Sequence, residues 1–287
     1  MKIAVVSGKG GSGKSSVTAA LIALAPKVVA IDCDVDASNL PLLFAHEVCR
    51  QEPFASGQDL HIDAEACVGC GLCAERCAFH AIEMSDKGKA VANNLLCEGC
   101  ALCAALCPQQ AITLSEVSDS SIYTSRFEKG ILMHGALCPG DDNSGKMIAR
   151  IRKIADQQMK DEEIDTQILD GPPGIGCPVL STVTGMDLIV IVSEPTLSGI
   201  SDLQRAYRVA SSFCQNIRVV INKCDVNSHN RDAIAAFCSK HQIPVIAELP
   251  FDRRLVEAQL NCESIITYAP ESKAAQELKK AYQQIFG

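Results

Sequence analysis

The chain has 287 residues, 47% of them apolar, enough to bury one large α/β core or two modest ones. A net charge of −8 without any long Lys/Arg run argues against nucleic acid or anionic lipid as the main partner, because both demand a concentrated positive patch. No stretch approaches the roughly 20 apolar residues of a membrane span, and the first residues already read as a strand, so a cytoplasmic protein without a membrane span is expected.

The first predicted strand, KIAVVS, runs into SGKGGSGKSS, Ser7 to Ser16. Gly8, Gly13, Lys14 and Ser15 satisfy G-x-x-x-x-G-K-[ST], the pattern in which backbone N–H groups converge on phosphate oxygens. Gly8, Gly10, Gly11, Ser12 and Gly13 would form that cradle. Lys14 supplies a point charge and Ser15 a hydroxyl for Mg²⁺, and Ser16 follows in a predicted helix, SSVTAALIALA, whose positive end faces the anion. Lys9 places a second positive charge in the loop, where an unspecialised lysine would simply be solvated. The second predicted strand, KVVAID, opens into IDCDVDASNL, which carries Asp32, Asp34 and Asn39.

Next comes a dense part of the chain's 16 cysteines. In a reducing compartment such a count signals metal ligation or redox chemistry rather than disulfides. CVGCGLCAERCAFHAIEM from Cys67 and CEGCALCAALCPQQAITL from Cys97 are one pattern repeated after 30 residues. Each is C-x2-C-x2-C-x3-C, the spacing in which three thiolates hold one iron–sulfur cubane and the fourth reaches the other. The spacing assigns Cys67, Cys70, Cys73 and Cys107 to one [4Fe–4S] cluster, and Cys97, Cys100, Cys103 and Cys77 to a second. Zinc knuckles, the alternative, leave the third cysteine of each run unexplained. The runs resemble bacterial two-cluster ferredoxins, except that Cys77 is followed by Ala78 rather than proline. The insert is placed at residues 59–115, within an ATPase domain formed by 1–58 and 116–287.

Beyond the insert, a predicted helix, SGKMIARIRKIADQQM, precedes the strand TQILD, which ends at Asp170 in DGPPGIGCPV. DLIVIVS, IRVVINK and IPVIAEL follow as further strands, separated by the helical patterns SGISDLQRAYRVASSF and NRDAIAAFCSKH. Short β-branched runs alternating with helices predict an α/β fold: a mostly parallel sheet with helices on both faces, ligands at the carboxyl ends of the strands, and a small α+β insert. Asn222, Lys223, Cys224 and Asp225 spell N-K-x-D, the guanine-reading pattern of many GTPases. The last helix puts Ala274, Leu278, Ala281, Tyr282 and Ile285 on one face, the pattern of a docked helix rather than a membrane-binding tail.

The KGGxGK loop resembles the deviant Walker motif of the MinD, ParA, Mrp and nitrogenase iron protein group of P-loop ATPases, and the resemblance follows nearly the whole chain. It implies ATP rather than GTP, a nucleotide-gated homodimer, and a Lys9 that reaches the partner subunit's nucleotide. Asp34 and Asn39 match the first switch, with Asp34 orienting the attacking water. Asp170 matches the Walker B aspartate that holds Mg²⁺ through water. Asn222 resembles the adenine contact, and Pro250 and Asp252 in LPFDRRL resemble the loop over the base. In the nitrogenase iron protein a cysteine seven residues past the Walker B aspartate joins another to hold a [4Fe–4S] cluster shared by two subunits. Cys177 stands at that spacing and Cys138 precedes the helix from Ser144, so a bridging cluster is a further expectation; a buried helix-start thiol and a loop thiol are the plainer alternative.

The expected function is an ATP-dependent iron–sulfur redox protein delivering electrons to a redox or maturation partner. An Mrp-like cluster carrier is one alternative, although four thiolates per cluster leave no open position for handing it over. A MinD/ParA-type positioning ATPase is the other.

Overall fold

The structure, a computed structural model, describes residues 1–55, 57–117, 120–138 and 143–287. In chain order the elements are β1 (Lys2–Ser7), α1 (Lys14–Leu24), β2 (Val28–Asp32), β3 (His46–Phe54), β4 (Gly57–Ile62), α2 (Leu72–Arg76), β5 (Ile82–Met84), β6 (Ala90–Ala92), α3 (Leu102–Leu106), β7 (Ile112–Val117), β8 (Ser120–Phe127) and β9 (Gly130–Ala136). They continue with α4 (Ser144–Asp161), β10 (Gln167–Pro173), α5 (Cys177–Val183), β11 (Leu188–Ser193), α6 (Leu197–Ser211), β12 (Ile217–Asn222), α7 (Ser228–Lys240), β13 (Val245–Leu249), α8 (Arg253–Leu260), α9 (Ile265–Tyr268) and α10 (Lys273–Phe286).

Nine strands form one sheet in the order β13-β12-β11-β1-β10-β2-β9-β8-β3. The seven from β13 to β9 pair in parallel, as expected of apolar runs buried on both faces. β1 lies between β11 and β10, so the order reverses beside it. The loop leaving its carboxyl end therefore opens into the crevice where ligands bind in such sheets. α1 packs against β1, β10, α9 and α10, which explains why Val17 to Ile22 are buried in succession rather than on one stripe. The apolar face of α10, with Ala274, Leu278, Ala281 and Ile285, joins the same core.

Three strands of the sheet have weaker sequence signals. β9 buries an apolar run of only Ile131, Leu132 and Met133, bounded by Gly130 and His134, too short to stand out. β8 turns back into β9 through the two residues Glu128 and Lys129, a connection that only an antiparallel pair allows. β3 is exposed along most of its length and carries charged residues, as an edge strand should.

The chain divides into two compact units: Met1–Glu52, Ile122–Ala136 and Ser144–Gly287 in the larger, Pro53–Ser121 and Leu137–Asn143 in the smaller. In the smaller unit β4 pairs antiparallel with β7, and β5 with β6. The thirty-residue repeat is visible in the backbone. α2 follows Gly71 at φ 77° and α3 follows Ala101 at φ 61°, while His80 and Gln110 occupy the left-handed region at equivalent points, φ 53° and 52°. The core of this unit is thin: Leu60, Cys73, Ile82, Ala90 and Ile112, with half-buried cysteines packed around them.

Candidate nucleotide site and cysteine-lined hollows

The loop after β1 lines a cavity of about 440 Å³ together with Asp34, Asn39, Pro173, Asn222 and the segment Phe251 to Gln259. Gly13, at φ 89°, turns the loop into α1, and a Cβ there would stand 2.1 Å from the Asn222 amide nitrogen, so only glycine fits. Cβ atoms at Gly10 and Gly11 would meet nothing within 4 Å. That open cradle, and a buried Ser12 Oγ without a hydrogen-bond partner among the described residues, suit a phosphate chain.

The polar groups beneath the cradle are already joined. Lys14 Nζ lies 2.8 Å from Asp170 Oδ1 and 3.2 Å from Ser15 Oγ. Ser15 Oγ donates to Asp170 Oδ2 at 2.6 Å, and Thr18 Oγ1 to Oδ1 at 2.7 Å. A buried carboxylate is tolerable only with such partners. Thr18, one helical turn past Lys14, has no place in the sequence motif. Gly174 N–H donates to the Ser7 carbonyl at 3.2 Å, tying the turn after β10 to the end of β1.

Asp32 anchors the loop that carries Asp34 and Asn39. Its Oδ1 accepts the Asp34 N–H at 2.9 Å, and its Oδ2 accepts Ser38 Oγ at 2.8 Å and the Asn39 and Leu40 N–H groups at 2.9 Å each. Burial, and then the charge of Asp170, push its pKa up to about 6 against those hydrogen bonds. Asp34 is half-buried on the cavity wall; burial raises its pKa, and Lys14 acts in the opposite direction.

Asn222 donates to the Ser12 carbonyl at 2.9 Å, and Lys223 Nζ reaches the Gly11 carbonyl at 3.3 Å. Asp225 Oδ1 is taken by the Phe251 N–H at 2.7 Å, and the residue is not on the cavity lining. One oxygen of the aspartate that reads guanine in N-K-x-D proteins is thus engaged by the chain itself. Asp252 lines the cavity and caps α8, accepting the Arg254 N–H at 3.0 Å, and its pairing with Arg254 lowers its pKa. Pro250 stands just outside the lining and Phe251 on it, 59% exposed. Gln259 bonds Ser16 Oγ at 2.9 Å, from α8 to α1. Lys9 Nζ is held at 2.6 Å from Glu194 Oε1.

A family model for the CobQ/CobB/MinD/ParA nucleotide binding domain matches residues 3–265. The chain belongs to that family. It is a P-loop nucleotide-binding protein of the CobQ/CobB/MinD/ParA group. An uncharacterized protein of Methanocaldococcus jannaschii is 36% identical over 99% of this chain and 96% of its own length. An uncharacterized ATP-binding protein of the same organism is 22% identical over 99% and 87%. The cell division ATPase MinD of Pyrococcus furiosus shares the fold, with a TM-score of 0.60 at 20% identity over 100% of this chain and 98% of that one.

The family match runs through the cysteine segments without assigning them a role. In the smaller unit two hollows collect them. Cys67, Cys70, Cys73 and Cys107 line one, with Ile62, Ala90 and Ile112. Cys97, Cys100, Cys103 and Cys77 line the other, with Leu60, Phe79 and Leu114. Each hollow takes three cysteines from one run and the fourth from the other. Backbone N–H groups point at the sulfurs: Ala81 to Cys77 Sγ and Ala111 to Cys107 Sγ, both at 3.3 Å. N–H groups of Ala90 and Gly69 hold the Cys67 thiol below its usual pKa, while burial raises those of Cys73 and Cys103. Among the described residues, no three His, Cys, Asp or Glu side chains converge tightly enough for a single metal ion. Each hollow is lined by four cysteines, the number of thiolates that a [4Fe–4S] cubane takes.

Cys177 is exposed at the start of α5. Cys138 is half-buried in the other unit, its N–H donating to Ser120 Oγ at 3.0 Å, and residues 139–142 after it lie outside the described part. Cys33 is fully buried and hydrogen-bonded to Thr182; burial pushes its thiol up to about 12, the mark of a structural cysteine.

Proposed function

We propose that the protein is a nucleotide-gated ATPase dimer whose small unit carries two [4Fe–4S] clusters and serves as an electron donor to a partner protein. The P-loop N–H groups and Lys14 bind the phosphates, and Ser15 and Asp170 are the pair that holds Mg²⁺. Asp34, half-buried and kept in place by Asp32, orients the attacking water. Asn222, Phe251 and Asp252 bound the base end, and the engagement of Asp225 by Phe251 favours adenine over guanine. In the small unit Cys67, Cys70, Cys73 and Cys107 hold one cluster, and Cys97, Cys100, Cys103 and Cys77 the other. Bound clusters of this type accept and release single electrons. The observation that carries the reading is the crossed grouping of the eight cysteines around two hollows, three from one run and one from the other. Four thiols per hollow leave no open ligand position, which counts against a carrier that gives its clusters away.

A second reading, a MinD/ParA-type ATPase acting on protein partners without redox chemistry, is favoured by the likeness to MinD along the whole chain. One experiment separates them. Protein purified without oxygen is assayed for iron, acid-labile sulfide and ATP hydrolysis, with Lys14→Ala as the hydrolysis control. The redox reading expects roughly eight irons per chain and a reducible [4Fe–4S] electron paramagnetic resonance signal. Iron-free protein that hydrolyses ATP at an unchanged rate establishes the second.

A further inference from the structure

Glu194 lies between β11 and α6, in a segment that no part of the P-loop motif includes. Its side chain is only 12% exposed, and its two oxygens are divided between two lysines. Oε1 is 2.6 Å from Lys9 Nζ, and Oε2 is 2.8 Å from Lys223 Nζ. Both lysines line the nucleotide cavity; Glu194 lies outside it, on a small hollow behind the loop. The backbone fixes the carboxylate there. Thr196 N–H donates to the Glu194 carbonyl at 2.8 Å, Thr196 Oγ1 caps α6 by accepting the Gly199 N–H at 2.9 Å, and a Cβ on Gly199 would stand 2.1 Å from that same carbonyl. Lys9 is further held by Ser198 Oγ at 2.9 Å, and Lys223 by the Gly11 carbonyl at 3.3 Å.

One acid therefore neutralises, from behind, two of the three cations on the cavity wall, leaving Lys14 to its own partner Asp170. We propose that Glu194 is a charge latch for the nucleotide site: it retains Lys9 and Lys223 while the site is empty and yields them to the polyphosphate when nucleotide binds. An interaction present only in the empty state lowers affinity by its own strength, because binding must break it. The ordinary pull of two lysines already keeps the Glu194 carboxyl below its usual pKa despite burial, so it is charged at neutral pH and competes with phosphate for the same cations. While latched, Lys9 is also unavailable to any second subunit. Glu194 acts through the lysines and is a positioning residue. The inference depends on the nucleotide site alone and is independent of the clusters.

The test is isothermal titration of the full chain with MgADP and with a non-hydrolysed MgATP analogue. Glu194→Gln keeps the side chain's size and removes its charge, and is expected to tighten binding about tenfold, within the usual range of coupling between linked events. The gain should shrink when the same change is made in a Lys9→Ala background and disappear in a Lys9→Ala, Lys223→Ala background. That non-additivity is a readout that a merely structural glutamate would not produce. Glu194→Asp, one methylene shorter, reaches only one lysine and should tighten binding about threefold, so it decides the matter if the glutamine variant folds poorly. Unchanged or weaker binding in the folded variants, or an equal gain in the double-lysine background, overturns the latch.

Discussion

The two units of this chain reach order by different routes. The larger one buries a continuous apolar core in which one face of its sheet packs against α1, α8, α9 and α10, from Ile3 and Leu21 to Leu278 and Ile285. On that base it holds a set of buried polar groups in fixed contact, with Lys14, Ser15 and Thr18 all on Asp170. The smaller unit has fewer than eighty residues and five buried core residues, one of them Cys73. It also carries the charge imbalance. Between Pro53 and Ser121 nine Asp/Glu face three Lys/Arg, and Leu137–Asn143 adds two acids, so the whole net charge of −8 resides there and the larger unit is balanced. A core of that size rarely outweighs conformational entropy without a staple. The contrast teaches that a site of buried polar groups can be assembled before its ligand when an apolar core supports it. Where the donors of the proposed clusters form much of the core, ligand and fold would become one equilibrium.

The largest expected effect tests that contrast directly. Serine at all eight cysteines of the two hollows should abolish protease protection across the smaller unit, while the larger unit keeps its melting temperature and binds MgADP within about twofold of the parent, because its core and site contain none of those residues. Limited proteolysis beside calorimetry checks it; a small unit that stays protected breaks the comparison.

A smaller effect concerns acid sensitivity in the larger unit. His134 on β9 stacks on Tyr123 at 4.8 Å, and burial, with His46 nearby, holds its pKa down to about 4. The folded chain thus binds fewer protons at this ring than the unfolded chain. Stability from this source is complete above about pH 6.5 and is lost as pH falls towards 4, by at most about 2 kcal/mol once partial exposure is discounted. His134→Phe retains the stacking and should flatten the melting temperature between pH 6.5 and 4. An unchanged pH profile would move the acid sensitivity elsewhere.

The smallest effect lies inside the repeat. Ala101 occupies the left-handed region where the first run has Gly71. Ala101→Gly should stabilise the smaller unit by about 0.5–1 kcal/mol, and Gly71→Ala, whose Cβ would meet nothing within 4 Å, should cost a similar amount from backbone conformation alone. Hydrogen exchange of α2 and α3 measures both.

Contiguous features were legible in the sequence. The six expected strands of the parallel sheet fold as such, since a β-branched run buried on both faces has few alternatives, and the P-loop follows β1 because its glycines and lysine act through neighbouring backbone. The thirty-residue cysteine repeat states its own register. Tertiary structure alone decided what comes from distant strand ends. Glu194 meets both Lys9 and Lys223 only because β11 and β12 lie on one side of β1, and Phe251 and Gln259 reach the cavity only because α8 leans over α1. Asp32, an unremarkable acid in IDCDVD, becomes the anchor of the Asp34 loop because the fold buries it among four donors. The physical reason is range: backbone conformation and periodicity are set by near neighbours, whereas a buried charge takes whatever partners the packed strands bring to it.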